Sequence, residues 1–363
     1  MTLHQLLRRF LSRFPWFIRW INRRLPAPLL RQLRTLAEKI KYSGVSEVHE
    51  LPAIFHYWSQ KYVNPMLVDL GYDGLEDFFV QHILRFADEP CIRLLSIGAG
   101  NCELDLALAA RLKAQGCTNI RYECLEINGQ MLRRASARAA ELGVTELMVL
   151  TEGDIAQWEP EAQPAYQVII SLQFLHHVVE LEQLMAKVKV AMAPNALFLV
   201  DDMVGRNGHM LWPEALAMVE ELWAELPERY KYHHLHAVTN KKYVNWDCSI
   251  TGYEGIRAQD ILPLLVEHFH FDTFIAFSNI IDVFVGRPYG PNFSVDVAED
   301  LAFIDRVQSL DQEAIDGGDI KPTHMLAAMQ KEGVGEVRCC GKITPAFALR
   351  PTLCATPSVN IAS

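Results

Sequence analysis

At 363 residues, 50% of them hydrophobic and 21% charged, the chain has the composition of a folded protein, large enough for one enlarged domain or two smaller units, and not of a disordered one. Its formal net charge of −10 gives no general attraction to a polyanion, which argues against nucleic acid as a partner. The 8 cysteines form no C-x-x-C pair, the pattern of reduced thiols in a cytoplasmic protein.

The charge is unevenly spread. Arg8, Arg9, Arg13, Arg19, Arg23, Arg24, Arg31, Arg34, Lys39 and Lys41 face Glu38 alone, so residues 1–42 carry +9 and the remainder −19. Between these arginines Leu3, Leu6, Leu7, Phe10, Leu11, Phe14, Phe17, Ile18 and Ile21 recur at helical spacing, with Pro15 as a break. Residues 1–45 therefore read as a basic amphipathic helical arm. Such an arm can dock on its own domain, or contact an anionic membrane surface or a partner, which at a membrane would place a cytoplasmic protein peripherally on the inner face. Arginines interrupt the apolar stretch too often for a cleaved signal, and no window reaches the roughly 18 apolar residues of a membrane span.

Residues 46–90 read as a helical cap, too aromatic for a linker around Phe55-His56-Tyr57-Trp58 and Asp77-Phe78-Phe79. From 91 the pattern changes. Short apolar runs at 92–97, 120–127, 146–150, 168–172 and 196–200 alternate with helical stretches, the signature of a parallel α/β sheet. Pro194-Asn195 marks the turn before the fifth run. Residues 205–270 break the alternation with Trp, Tyr, His and Asn and read as an insertion. Two further runs, 271–279 and 281–286, are so close that they should pair as an antiparallel hairpin. The domain spans 91–287, a helical extension follows over 288–330, and 331–363 reads as a loosely ordered tail.

The first run ends in Ser96-Ile97-Gly98-Ala99-Gly100-Asn101-Cys102-Glu103 and leads into a helix, Leu104 to Gln115. Gly98 and Gly100 suit a turn at the carboxyl end of a strand, where open α/β sheets bind ligands and where the main chain can approach a nucleoside closely. A dinucleotide fingerprint would place a third glycine at 103, where Glu103 would repel a pyrophosphate. The acid suits a cationic ligand, S-adenosylmethionine, better than NAD. Glu126, followed by Ile127, ends the second run and can accept both ribose hydroxyls. Asp154 follows the third and can accept from an adenine amino group, with Ile155 against the ring.

On these motifs residues 91 to about 286 resemble a class I S-adenosylmethionine-dependent methyltransferase. The resemblance implies a Rossmann-like seven-stranded sheet, five parallel strands plus an antiparallel hairpin, with S-adenosylmethionine held by Ser96, Gly98, Gly100, Glu103, Glu126, Ile127, Asp154, Ile155 and Ser171. Leu175-His176-His177-Val178-Val179-Glu180-Leu181, Asp202-Met203-Val204-Gly205-Arg206-Asn207-Gly208-His209 and Lys321-Pro322-Thr323-His324-Met325 further resemble bacterial methyltransferases associated with glycosyltransferases of surface-polysaccharide synthesis. Two positions depart from the pattern: Ser96 stands where many relatives carry an acid, and Cys102 stands for the third glycine of G-x-G-x-G.

Methyl transfer needs alignment and a base for the acceptor's proton. His176 and His177 follow the fourth run and titrate near neutral pH; the resemblance pairs such a step with an acid after the next strand, where Asp201 and Asp202 stand. Neighbouring helical residues point about 100° apart, so at most one of the two histidines faces the acceptor. His209 competes for the role. Tyr232, His233, His234, His236, Tyr243, Asn245, Trp246 and Asp247 offer aromatic faces and polar groups suited to a sugar ring, or simply form a half-buried surface; their spacing matches no zinc pattern, and no metal is expected. The expected activity is O-methylation of a saccharide or related hydroxylated small molecule. A non-catalytic cofactor-binding partner of a glycosyltransferase and an NAD-dependent oxidoreductase are the alternatives.

Overall fold

The computed structural model describes residues 51–350, apart from 162, 164, 251 and 334, together with Leu29. The arm expected over 1–45, the first residues of the cap and residues 351–363 of the expected tail lie outside the described residues; the rest of that tail, 331–350, is not loose but holds a strand of the sheet at Arg338–Cys339 and a short helix at Pro345–Ala348. From residue 51 the described part opens with three helices, α1 (Ala53–Trp58), α2 (Asn64–Asp69) and α3 (Leu75–Leu84), α1 and α2 being joined by a wider π turn over Ser59–Val63. An alternating stretch follows: β1 (Ile92–Ile97), α4 (Glu103–Ala114), β2 (Ile120–Glu126), α5 (Gly129–Glu141), β3 (Met148–Glu152), β4 (Tyr166–Leu172), α6 (Leu181–Ala191) and β5 (Met192–Met203). Next come α7 (Pro213–Glu225), a small hairpin of β6 (Tyr232–His233) and β7 (Val238–Thr239), α8 (Ala258–His268) and β8 (His270–Phe277). The last described elements are α9 (Asp282–Val285), α10 (Ala298–Gly317), β9 (His324–Gln330), β10 (Arg338–Cys339) and α11 (Pro345–Ala348).

The main sheet runs β10-β8-β9-β5-β4-β1-β2-β3. Strands β5, β4, β1, β2 and β3 are mutually parallel, β9 is antiparallel to both β5 and β8, and β10 pairs parallel to β8. Strand alternation divides the core between the two faces: Leu95, Ile97, Phe198 and Val200 pack on one side, and Ile92, Leu94, Leu197 and Leu199 on the other. Both sides are covered, so these strands read in the sequence as continuous apolar runs.

Pro194-Asn195 does not separate α6 from β5. It lies inside the strand, where Asn195 takes a left-handed φ of 61° and the register against β4 shifts between Tyr166 and Val168.

The expected hairpin of 271–279 with 281–286 is not there, and among the described residues the sheet has eight strands, not seven. The second run forms α9, and the antiparallel partner of β8 is β9, beyond α10. Ser278 turns the chain out of the sheet at a left-handed φ of 65°. Asp311 of α10 then accepts hydrogen bonds from the Asn279 and Ile280 amides at 3.1 and 2.7 Å. Ile280, Ile281, Phe284 and Val285 are wholly buried, and a run buried on every side loses the period that would tell strand from helix. Residues 288–330 thus hold α10 and then a strand of the sheet. Nearer the middle of α10, Asp305 accepts from the Tyr57 and Tyr62 hydroxyls at 2.9 and 2.7 Å and pairs with Lys61, which ties α1 and the π turn to the same helix.

Asp311 is fully buried, and burial together with nearby Asp282 holds its carboxyl up at about 7. A folded-state value above the unfolded one means that this contribution to stability is present below about pH 4 and is lost as pH rises through about 7. The unfolding free energy of Asp311→Asn measured in urea, relative to the parent protein, is expected to improve across that window. Asp311→Ala, which strips two buried amides of their acceptor, is expected to cost about 2–4 kcal/mol at pH 5.

Candidate active site

The glycine turn after β1 joins three strand ends. The Gly98 amide donates to the Leu125 carbonyl at 2.9 Å, the Gly100 amide to Glu126 Oε2 at 3.0 Å, and the Gly153 amide to the Glu126 carbonyl at 3.0 Å. Glu126 Oε1 also accepts from the Asn128 amide at 2.9 Å. The Glu126 carboxylate is buried, yet a carboxylate has about four lone-pair positions, so it can hold this backbone and still accept from a ligand. Gly98 has φ +67°, and a β-carbon there would fall 2.0 Å from the Phe174 ring. Glycine is required on both counts.

Asp154 caps the turn after β3 by accepting from the Ala156 amide at 3.0 Å, and Ile155 packs on the core from a half-buried position, while Ile127, directly after β2, is half-buried. Glu103 is exposed at the start of α4 and accepts from Asn101 Nδ2 at 3.2 Å, while Arg134 Nε donates to Asn101 Oδ1 at 3.0 Å. Ser96 and Ser171 are buried in β1 and β4, and Ser171 Oγ makes no hydrogen bond. Cys102 begins α4 in a left-handed conformation, φ 56°, the role a third glycine would have filled without strain. The turn, the Glu126 carboxylate and Asp154 thus supply a closely approachable backbone and acceptors for hydroxyl and amino donors, which fits a cationic nucleoside.

The other half of the site lies at the ends of β4 and β5. Asp202, without exposure, accepts from the amides of Phe174 (3.0 Å), Leu175 (2.6 Å) and Met203 (2.7 Å) and from His176 Nδ1 (2.6 Å). Opposite this bond His176 Nε2 lies 3.4 Å from Glu254 Oε1, and His209 Nε2 lies 3.3 Å from the same oxygen. The rings of His177 and His209 stand 4.3 and 5.0 Å from that of His176. Both nitrogens of His209 are shielded from solvent, and Nε2 has only the long 3.3 Å approach of Glu254. Burial opposes a charge on His176, but Asp202 and Glu254 outweigh it and hold the ring's pKa up at about 10. Burial pushes His209 the other way, below the ordinary histidine value, with Glu254 only partly compensating. Asp201, on the opposite side of β5, is raised to about 6 by burial against a hydrogen bond from Gln173 Nε2 at 3.1 Å.

Sequence reasoning brought His176, His177, His209 and Asp202 to one place but missed Glu254 and Phe174. Glu254 sits between Gly252 and Gly255 in the insertion, and an acid framed by glycines was the available signal. Gly255 has φ +64°, and a β-carbon there would meet His209 Nε2 at 3.0 Å, so the glycine lets Glu254 arrive beside the ring. The aromatic cluster of the insertion divides its labour differently. His233 packs against His236 and Tyr289 at 4.2 and 4.9 Å, His236 against Trp246 at 4.8 Å, and Tyr243 against Trp223 at 5.5 Å. His234 bonds Asn292 Oδ1 at 2.9 Å, Asn245 pairs with the Leu211 backbone, and Asp247 abuts Gly208 beside His209.

Residues 95–198, from within β1 to within β5, match the model of a family described as a methyltransferase domain. The chain carries a methyltransferase domain. No curated protein matches this methyltransferase in sequence. Among solved structures it is similar to a geranyl diphosphate methyltransferase in complex with S-adenosylmethionine, at 10% identity over 81% of this chain and 95% of that one, TM-score 0.42. It is also similar to the geranyl diphosphate C-methyltransferase of Streptomyces coelicolor A3(2), at 12% identity over 80% and 84%, TM-score 0.40. A third is an S-adenosylmethionine-dependent methyltransferase of Geobacter sulfurreducens with S-adenosylhomocysteine, at 13% identity over 78% and 99%, TM-score 0.38.

Gly98→Ala in this methyltransferase forces a strained φ and displaces Phe174. It is expected to weaken S-adenosylmethionine binding at least tenfold by calorimetry, while a Leu235→Ala control on the exposed insertion leaves affinity unchanged.

Proposed function

We propose that this methyltransferase O-methylates a saccharide or a related hydroxylated small molecule. The cofactor is S-adenosylmethionine, which when bound supplies a methyl carbon activated for in-line displacement. Glu126 is assigned to the ribose hydroxyls, Asp154 with Ile155 to the adenine, and the Gly98–Gly100 turn to the close approach of the main chain. The acceptor's hydroxyl is directed to the cluster at the ends of β4 and β5. There a histidine takes its proton, and Asp202, bonded to His176 and to three amides, keeps the cluster in register.

The observation that carries this reading is the sharing of one sheet edge by two polar centres. Glu126 gathers the ends of β1 and β2, and Asp202 gathers those of β4 and β5. Alignment of two reactants by rigid strand ends is most of what methyl transfer asks of a protein. The resemblance of the 175–181 and 202–209 segments supports a place beside glycosyltransferases of surface-polysaccharide synthesis, and the basic arm supports a cytoplasmic enzyme in peripheral contact with the inner membrane face. Among the described residues no helix is long and apolar enough to cross a membrane.

Labelled S-adenosylmethionine incubated with the protein and a panel of free and lipid-linked sugars is expected to give a methyl ether. His209→Gln is expected to lower kcat about 10²–10⁴-fold with cofactor affinity within about twofold of the parent. A protein stabilised against heat by NADH and not by S-adenosylmethionine would falsify the assignment.

A further inference from the structure

Three side chains of metal-binding type meet beside the end of β5, each from a different segment: His176 from the turn after β4, His209 from the turn after β5, and Glu254 from the insertion. Their ligand atoms all lie within 4.8 Å of one another. Glu254 Oε1 stands 3.4 Å from His176 Nε2 and 3.3 Å from His209 Nε2. A tetrahedral ion with bonds of about 2.0–2.1 Å sets its donor atoms about 3.3 Å apart, so both spacings already have the length of a coordination edge.

The surroundings agree. The Asp202 carboxylate lies 2.6 Å from His176 Nδ1, which fixes the ring and directs Nε2 toward Glu254, as a carboxylate behind a metal-bound histidine does; an ion would take the place of the Nε2 proton. His209 Nε2 is shielded from solvent and meets Glu254 Oε1 only at 3.3 Å, an approach longer than a good hydrogen bond and matched to two ligands of one ion. One other group of this kind occurs among the described residues, Cys102, Asp105 and Cys124. It is buried in the core, with Asp105 already bonded to the Tyr122 hydroxyl at 2.8 Å. The histidine group instead includes Glu254 with 30% of its side chain exposed, so an ion and a further ligand can reach it.

We propose that His176, His209 and Glu254 form a site for one divalent cation of the zinc class, with a fourth position open to the acceptor's oxygen. Two imidazoles and one carboxylate are the donor set of open catalytic zinc sites, whereas magnesium prefers oxygen ligands. The inference rests on the placement of the acceptor at this cluster and replaces a ring nitrogen by the ion as the group that makes the hydroxyl acidic. The O–H bond breaks as the oxygen takes the open position, and the proton leaves to water. The oxygen's electron pair then forms the new bond to the methyl carbon, and the carbon–sulfur bond breaks with its pair going to sulfur.

The test uses the full-length protein after dialysis against a chelator, titrated with Zn²⁺, Co²⁺ and Mg²⁺ by calorimetry and visible absorption. One equivalent of Zn²⁺ is expected at micromolar or tighter affinity, with Co²⁺ giving an intense tetrahedral spectrum that Zn²⁺ abolishes and Mg²⁺ binding at least 100-fold more weakly. His209→Gln and Glu254→Gln should each weaken Zn²⁺ at least tenfold, with metal-free melting temperatures near that of the parent. Methyl transfer should fall on chelation and return with Zn²⁺ or Co²⁺. Absence of one-to-one binding, binding that survives both substitutions, or transfer indifferent to removal of a bound ion overturns the site. S-adenosylmethionine is titrated separately into the same preparation: cofactor bound without metal sinks the cation site alone, and metal bound without cofactor sinks the methyltransferase reading alone.

Discussion

A carboxylate with no exposed surface can stay in a protein only if donors surround it, and Asp202 meets four: three amides and His176 Nδ1. Two of those amides belong to Phe174 and Leu175, so the same charge that fixes His176 also fixes the start of the turn after β4. Phe174 in turn lies over Gly98, where a β-carbon would have no room. The chain of contacts from Asp202 through Phe174 to Gly98 joins the histidine cluster to the glycine turn. The two halves of the site are therefore set by one buried charge rather than placed independently.

What the sequence disclosed follows from the distance over which each feature is decided. The five parallel strands and the glycine turn depend on local patterns, apolar runs of strand length and a G-x-G after the first of them. Glu126, Asp154 and the His176-His177 step were legible because each stands directly behind a strand that the pattern had located. Partnership between remote segments was not. The run 281–285 is apolar throughout because it is buried on all sides, so it carried no period, and its exit from the sheet is decided by Asp311, some thirty residues further on. Strand β9 finds its place only through pairing with β5 and β8. Glu254 came to the histidines through the fold of an insertion whose composition signals a function without giving its geometry.

The insertion also shows why residue type is a weak guide to role. Its histidines and aromatic residues have the composition of a sugar platform, yet His233, His236, Tyr243 and Trp246 lie at ring-contact distances from one another or from Trp223 and Tyr289. Much of that aromatic surface holds the insertion together. The groups it delivers to the strand ends are fewer, Glu254 beside the two rings and Asp247 against the Gly208 turn.

Strand β9 sits between β5 and β8 but is made after both of them, with α9 and α10 intervening. Until it inserts, each of those strands presents a row of backbone donors and acceptors with no mate, an invitation to pairing between chains. On a ribosome the five parallel strands, closed by β5, can take shape while the edge beside the histidines still waits for β9. Assembly of this enzyme therefore has a vulnerable interval that ends when β9 is threaded into the gap. Chaperone demand and aggregation should be concentrated in that interval, not in the earlier formation of the parallel strands.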